Sequence, residues 1–223
     1  DDLASRTDTV QLYSTDFMEL MLLPRLVRRV QEVAPHVRIV VRNTTGELPA
    51  KALENGDCDI AIAGFFDNLP SHLYRQALSQ FSFVVLSDRQ NQYWGHNRTL
   101  TNFLRCKHVV TTLTGDLSGI IDKALEKQGL RREVIIGASS FLTLPYVVKG
   151  SDMLLTCLKP IAVHMCAAEP AFDMHASPLD IAPARIEQVW HPRTQEDPLR
   201  QWLRGEIKHI LAEHAQTCAR ATE

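Results

Sequence analysis

At 223 residues, with 45% hydrophobic and 22% charged side chains, the chain can bury one large core or two of roughly 100 residues each. A formal net charge of −2 excludes the basic excess of a domain that grips nucleic acid by its own surface. No apolar run approaches the ~20 residues that span a bilayer. The five cysteines (Cys58, Cys106, Cys157, Cys166, Cys218) form no CxxC pair or disulfide framework, which points to a reducing, cytoplasmic setting without a signal peptide.

The first expected element is a strand over Thr9 to Ser14, feeding a helix through Thr15, Asp16 and Phe17. In that helix Leu22, Leu26, Val30 and Val33 recur at helical spacing, while Arg25, Arg28, Arg29 and Glu32 take the other face. Pro24 either sits in its first turn or kinks it. After Pro35-His36 the β-branched run Val37 to Val41 reads as a strand. A second helix, Leu48 to Asn55, stops at Gly56, where a left-handed cap costs little. Asp59 to Ala63 is then a near-continuous apolar run, the pattern of a strand buried on both faces. Leu73 to Ser87 reads as a further strand, followed by turn-rich polar residues from Ser87 to Gln92.

A second αβ series follows. Its expected elements are a strand at Val109 to Thr112, a helix from Asp116 to Lys127 closed by Gly129, and a strand at Val134 to Ala138. A short helix from Phe141 to Lys149, a strand at Met153 to Leu158 and a helix from Pro160 to Ala168 come next. Pro178 to Pro183 reads as a return crossover, Arg185 to Trp190 as a strand, and Pro198 to His214 as a closing amphipathic helix. Two series of like content imply two lobes of similar size. Such lobes can close on a ligand by hinge motion.

With these segments in place, the chain resembles the effector-binding (regulatory) region of LysR-type transcriptional regulators over nearly its whole length. The resemblance rests on LLPRLVRRVQEVAPHVRI, LENGDCDIAIAG, FSFVVLSD, VVKGSDMLLTCLKPIA and the final VW…WLRGEIKHIL, in that order and spacing. Ser14-Thr15-Asp16 with Glu19 and Pro24, and Trp190-His191 with Asp197-Pro198 and Trp202-Leu203-Arg204, are similar to the branch that senses aromatic compounds. The resemblance implies an α/β fold of two Rossmann-like, periplasmic-binding-protein-like subdomains joined by two crossover strands. The first would comprise residues 8–89 and 185–217, and the second residues 90–184. It further implies a small, aromatic or amphipathic effector held between the lobes, self-association into dimers and tetramers, no enzymatic activity and no cofactor. Promoter DNA would be reached only through an N-terminal helix-turn-helix domain, which the family pattern places ahead of Asp1-Asp2-Leu3 and which this sequence lacks.

In doubly wound lobes ligands lie beyond strand C-termini, where free helix N–H groups donate to anions. The loops in question are Ser14-Thr15-Asp16, Asn43-Thr44-Thr45, Gly64-Phe65-Phe66, Thr112 to Asp116 and Ser139-Ser140-Phe141. Their hydroxyls can hold a carboxylate or phenol oxygen, and Phe65, Phe66 and Phe141 can sandwich a ring. The effector contacts expected are Thr15, Asp16, Leu22, Thr45, Phe65, Thr114, Gly115, Asp116, Ser140, Phe141, Trp190 and His191. Of these, Thr15, Leu22, Asp116, Ser140 and Phe141 fall at pocket positions of the aromatic-sensing branch. Asp116 and Ser140 stand where that branch can carry imidazoles, which argues against salicylate itself. The plainer reading of Ser, Thr or Asp before a helix is an N-cap, and that of Trp190-His191 a packed indole beside a partly exposed imidazole.

Other constellations carry less. His164-Met165-Cys166 points its side chains to diverging helix faces, so no metal set is expected there. Gly137 to Phe141 is not a GxSxG elbow, and no nucleotide-binding glycine motif occurs. A solute-binding protein of an uptake system shares the two-lobe layout and is the rival expectation; an enzyme ranks below both.

Overall fold

The computed structural model describes residues 2–44, 47–64 and 68–221. In chain order the elements are β1 (Thr9–Ser14), α1 (Asp16–Val33), β2 (Arg38–Asn43), α2 (Ala50–Asn55), β3 (Ile60–Ala63), β4 (Tyr74–Phe81) and β5 (Phe83–Asp88). They continue with α3 (Leu100–Arg105), β6 (Lys107–Thr111), α4 (Ile120–Glu126), β7 (Glu133–Ala138), α5 (Leu144–Val148) and β8 (Leu154–Leu158). α6 (Lys159–Ala168), β9 (Phe172–Ala176), β10 (Ala184–Trp190) and α7 (Pro198–Arg220) complete the series. The chain divides into two compact units, Asp1–Gln80 with Arg185–Gln216, and Phe81–Ala184 with Thr217–Glu223.

The first unit carries a five-stranded sheet ordered β2-β1-β3-β10-β4. β1 pairs parallel with β2 and β3, whereas β10 pairs antiparallel with β3, so the sheet is mixed. The apolar run of β3 keeps Ile60, Ala61 and Ile62 fully buried, as a central strand covered on both faces requires. α1 buries Phe17, Met18, Met21, Leu22, Leu26 and Val30 along one stripe. Pro24 lies well inside that helix, removing one N–H from its ladder. α7 buries Leu199, Leu203, Ile207, Ile210 and Leu211. It is tied to the first unit by Gln188 Nε2 donating to Arg204 O (3.1 Å) and Ser79 Oγ donating to Leu211 O (3.0 Å).

The second unit carries the sheet β7-β6-β8-β5-β9. β6 is parallel to β7 and β8, while β5 is antiparallel to β8 and β9. Its core gathers Val85, Trp94, Phe103, Cys106, Ile121, Leu125, Leu154 and Leu179.

Two expectations are corrected here. The strand expected over Leu73 to Ser87 is two strands, broken at Ser82, and its second half (β5) pairs in the second sheet rather than the first. The helix expected from Asp116 starts only at Ile120, because Asp116 Oδ1 takes the Ser118 N–H (2.9 Å) in a turn of its own. α3 and β9 were not expected at all.

Candidate functional site

In each unit the parallel strands end together, and the loops beyond those ends collect polar groups. In the first unit, Ser14 knits three strand ends. Its hydroxyl donates to Ile62 O (2.8 Å) and its carbonyl accepts from Thr44 N (2.9 Å). Thr15 follows in extended backbone as the N-cap of α1, its Oγ1 accepting from Met18 N at 3.3 Å. Asp16 and Glu19 occupy the first turn, where carboxylates complement the helix dipole. Leu22 is 2% exposed and belongs to the core stripe, beneath the loops rather than in them. Thr45 and Phe65, with Phe66, lie outside the described residues.

In the second unit the ends of β6 and β7 are joined by Thr112 N donating to Ala138 O (2.9 Å). The loop after β6 is built from its own side chains. Thr112 Oγ1 accepts from Gly115 N (3.0 Å), and Thr114 Oγ1 from Asp116 N (3.4 Å). Gly115 has φ +87°, a left-handed backbone that a Cβ would strain. A Cβ on Gly137 would sit 2.6 Å from Leu117 Cδ2 and 2.9 Å from Thr112 Cγ2, so the loop packs directly on the bare backbone of β7. Beyond β7, Ser140 Oγ donates to Thr143 Oγ1 (3.0 Å) and accepts from Thr143 N (3.1 Å). Thr114, Asp116, Ser140 and Phe141 therefore stand on two adjacent loops. Asp122 anchors the start of α4, accepting from Gly119 N and from the Arg132 guanidinium (each 2.9 Å). Burial pushes the Asp122 carboxyl up, but Arg132 and the backbone amide hold it below its ordinary value.

Trp190 and His191 are not brought to that end. Because β10 is antiparallel to β3, pairing Glu187 with Ala63 and Val189 with Ala61, its C-terminus emerges where β3 begins. There Trp190 is packed, 7% exposed. It stacks on Tyr74 (centroids 5.9 Å, planes 16° apart) beneath the Arg204 guanidinium (4.4 Å), and its Nε1 donates to Gln195 Oε1 (2.7 Å). His191 caps the 3-10 turn Pro192–Thr194, its Nδ1 accepting from Arg193 N at 3.0 Å.

The same end of the first sheet holds an ion network. Arg200 binds Asp8 (2.6 Å), Asp59 (3.1 Å) and Asp197 (3.2 Å), and Arg6 binds Asp8 (2.7 Å) and Asp197 (2.9 Å). Asp59 Oδ2 also accepts from Gln11 N (2.7 Å). Hydrogen bonding from Arg6 holds the Asp8 carboxyl well below the usual range, against the opposing pull of burial. These groups precede β1 and β3 or open α7, so they fasten the helix to the strand starts, opposite the hydroxyl-bearing loops.

Comparison with known proteins now bears on the class. The family model described as the LysR substrate binding domain matches residues 4–212. The chain therefore belongs to the LysR substrate-binding domain family. Among its relatives, the HTH-type transcriptional activator NahR of Pseudomonas putida is 29% identical over 199 residues, covering 88% of this chain and 65% of that protein. The HTH-type transcriptional regulator SyrM of Rhizobium meliloti is 29% identical, covering 92% and 62%. The chain thus spans less than two thirds of the length of these relatives. The regulatory domain of MexT, a transcriptional activator in Pseudomonas aeruginosa, superposes with a TM-score of 0.80 at 26% identity, covering 93% of this chain and all of that one. The effector-binding domain of QuiR in complex with shikimate shares the fold (TM-score 0.72, 14% identity, 92% and 98% covered).

Proposed function

We propose that this chain is the effector-sensing part of a transcriptional regulator and that it recognises a small aromatic or amphipathic molecule through the hydroxyl-rich loops beyond its parallel strand ends. The observation that carries the reading is the second unit's loop pair. Gly137 lets Thr112 and Leu117 pack on the bare backbone of β7, so Thr114 and Asp116 stand on the loop next to the one that carries Ser140 and Phe141. Thr15 at the head of α1 supplies the corresponding hydroxyl in the first unit. Asp116 is exposed, so a ligand carboxylate beside it meets repulsion; a phenol, an alcohol or a neutral ring edge does not. The effector-binding domain of QuiR, which shares the fold, was solved in complex with shikimate. DNA contact and assembly into dimers or tetramers are proposed for the whole regulator, with promoter binding assigned to the part of the relatives that this chain does not match. The relatives are regulators by name, which favours this reading over an uptake protein.

The test is a calorimetric and thermal-melt titration of the chain with phenols, aromatic carboxylates and shikimate. A true effector saturates one site and, at 100-fold over its Kd, stabilises the fold by about 2.7 kcal/mol. Ser140→Ala and Thr114→Ala, both on the second unit's loop pair, are expected to weaken that binding at least about fivefold, or about 1 kcal/mol. Thr114→Ser, which keeps the hydroxyl, restores it. Binding indifferent to both alanine variants would overturn the assignment of the loops.

A further inference from the structure

At the opposite end of the first sheet, three ligating side chains from three separate segments converge. Glu54 closes α2, His72 stands in the turn before β4, and His191 directly follows β10, which neighbours β4 in the sheet. One carboxylate oxygen and two imidazole nitrogens lie within 4.8 Å of one another. His191 Nε2 is 3.3 Å from Glu54 Oε2, His72 Nε2 contacts Glu54 Oε1, and the two rings meet edge to face at 5.9 Å. Side-chain exposures of 46% and 50% for Glu54 and His72, against 20% for His191, leave the cluster open to solvent on one side.

We propose that Glu54, His72 and His191 form a three-ligand site for one divalent transition-metal ion of the Zn²⁺ or Ni²⁺ type, separate from the effector loops. A tetrahedral ion with bonds of about 2.0–2.1 Å spaces its ligand atoms about 3.4 Å apart, which is the separation already present between His191 and Glu54. His72 and Glu54 must part slightly, and both are on the exposed side, where that movement is easy. Two imidazoles and one carboxylate leave a fourth position for water. The set suits borderline ions ahead of the all-oxygen demands of Mg²⁺ or Ca²⁺.

The backbone around the ligands is braced. The Arg193 guanidinium donates to Leu53 O (3.2 Å) and Glu54 O, fixing the end of α2 against the turn that carries His191. In the metal-free chain His191 Nδ1 accepts the Arg193 N–H, so the proton of a neutral ring sits on Nε2, facing Glu54. Coordination through Nε2 moves that proton to Nδ1 and gives up the cap. Binding is therefore coupled to a change in the Pro192–Thr194 turn, and only ions with high imidazole affinity repay it.

The experiment is isothermal titration of the whole chain with ZnCl₂, NiCl₂ and MgCl₂, followed by the visible spectrum of the Co²⁺-loaded chain. Expected are one Zn²⁺ or Ni²⁺ per chain with a Kd of about 10 μM or tighter, no comparable Mg²⁺ binding, and a Co²⁺ spectrum without a thiolate charge-transfer band. His72→Ala and Glu54→Gln should each weaken Zn²⁺ at least about tenfold. His191→Asn, in which asparagine can still cap the turn, should do the same. If that variant fails to fold, the exposed His72→Ala decides alone. No saturable binding, equal affinity in wild type and His72→Ala, or a thiolate band from the cysteines would overturn the site.

Discussion

His108 is the second residue of β6, with its ring wholly buried, Nε2 on Phe103 O (2.8 Å), and Nδ1 without a hydrogen-bond partner among the described residues. Burial pushes its pKa down from 6.5 to about 4. The unfolded chain thus takes up the proton first, and stability falls as pH drops through the window from about 6.5 to about 4. The full loss across that window is about 3 kcal/mol for this group. Urea midpoints at about pH 7 and pH 4.5 should show it, and His108→Leu should flatten the slope there. Gly137 offers a second test at the same scale. A methyl added there meets Leu117, whose exposed side chain can swing away, and Thr112, whose Oγ1 is committed to Gly115 N and which cannot. Gly137→Ala should cost about 1 kcal/mol in a thermal melt and weaken effector binding with it.

Among the elements, α2 shows how a short helix is held. Six residues have little stability of their own. Gly56 leaves it at φ +87°, with Arg193 Nη1 only 3.3 Å from where a Cβ would stand, and the same guanidinium satisfies its last carbonyls. Arg193→Ala should therefore destabilise the first unit by about 1 kcal/mol, read from the denaturant midpoint. This element also marks what local sequence can reveal. Gly56, the β-branched β2 and the leucine stripe of α1 are local signals, and the α1–β2–α2–β3 order was legible from them. α3 has fewer than two turns and one cap, Thr99 Oγ1 accepting from Asn102 N, and β9 alternates buried and half-buried positions over most of only five residues. Neither stands out from a loop. The break at Ser82 was hidden because both flanking runs are strand-forming, and only their different partners separate them.

For the whole molecule, the starts of β1 and β3 and the first turn of α7 are joined through Arg200. Arg200→Ala removes the cation bound to Asp59 and leaves Asp8 and Asp197 to Arg6 alone, which should cost about 1–3 kcal/mol at neutral pH. In wild type the Asp8 contribution is present above its ordinary carboxyl pKa and lost as pH falls below it, since Arg6 depresses the folded value. A pH-dependent melt of both proteins would resolve the two effects. None of this network, nor the Glu54–His72–His191 cluster, was legible in the chain. Their members are far apart in sequence, and their meeting depends on strand order and on the direction of β10. The loops proposed to meet the effector could be located in the sequence because each lies just after a recognisable strand. The end of the sheet at which Trp190 and His191 stand could not, since a strand end says nothing of which way its strand runs.

The reversed direction of β10 has a spectroscopic consequence. Trp190 is the residue before His191 and lies away from Thr15. Trp94 is sealed in the other core. With the third indole removed by Trp202→Phe, emission should dim when a paramagnetic ion such as Ni²⁺ settles beside His191, yet stay unmoved when an effector meets Thr15. One chromophore would thus report on a single end of its sheet.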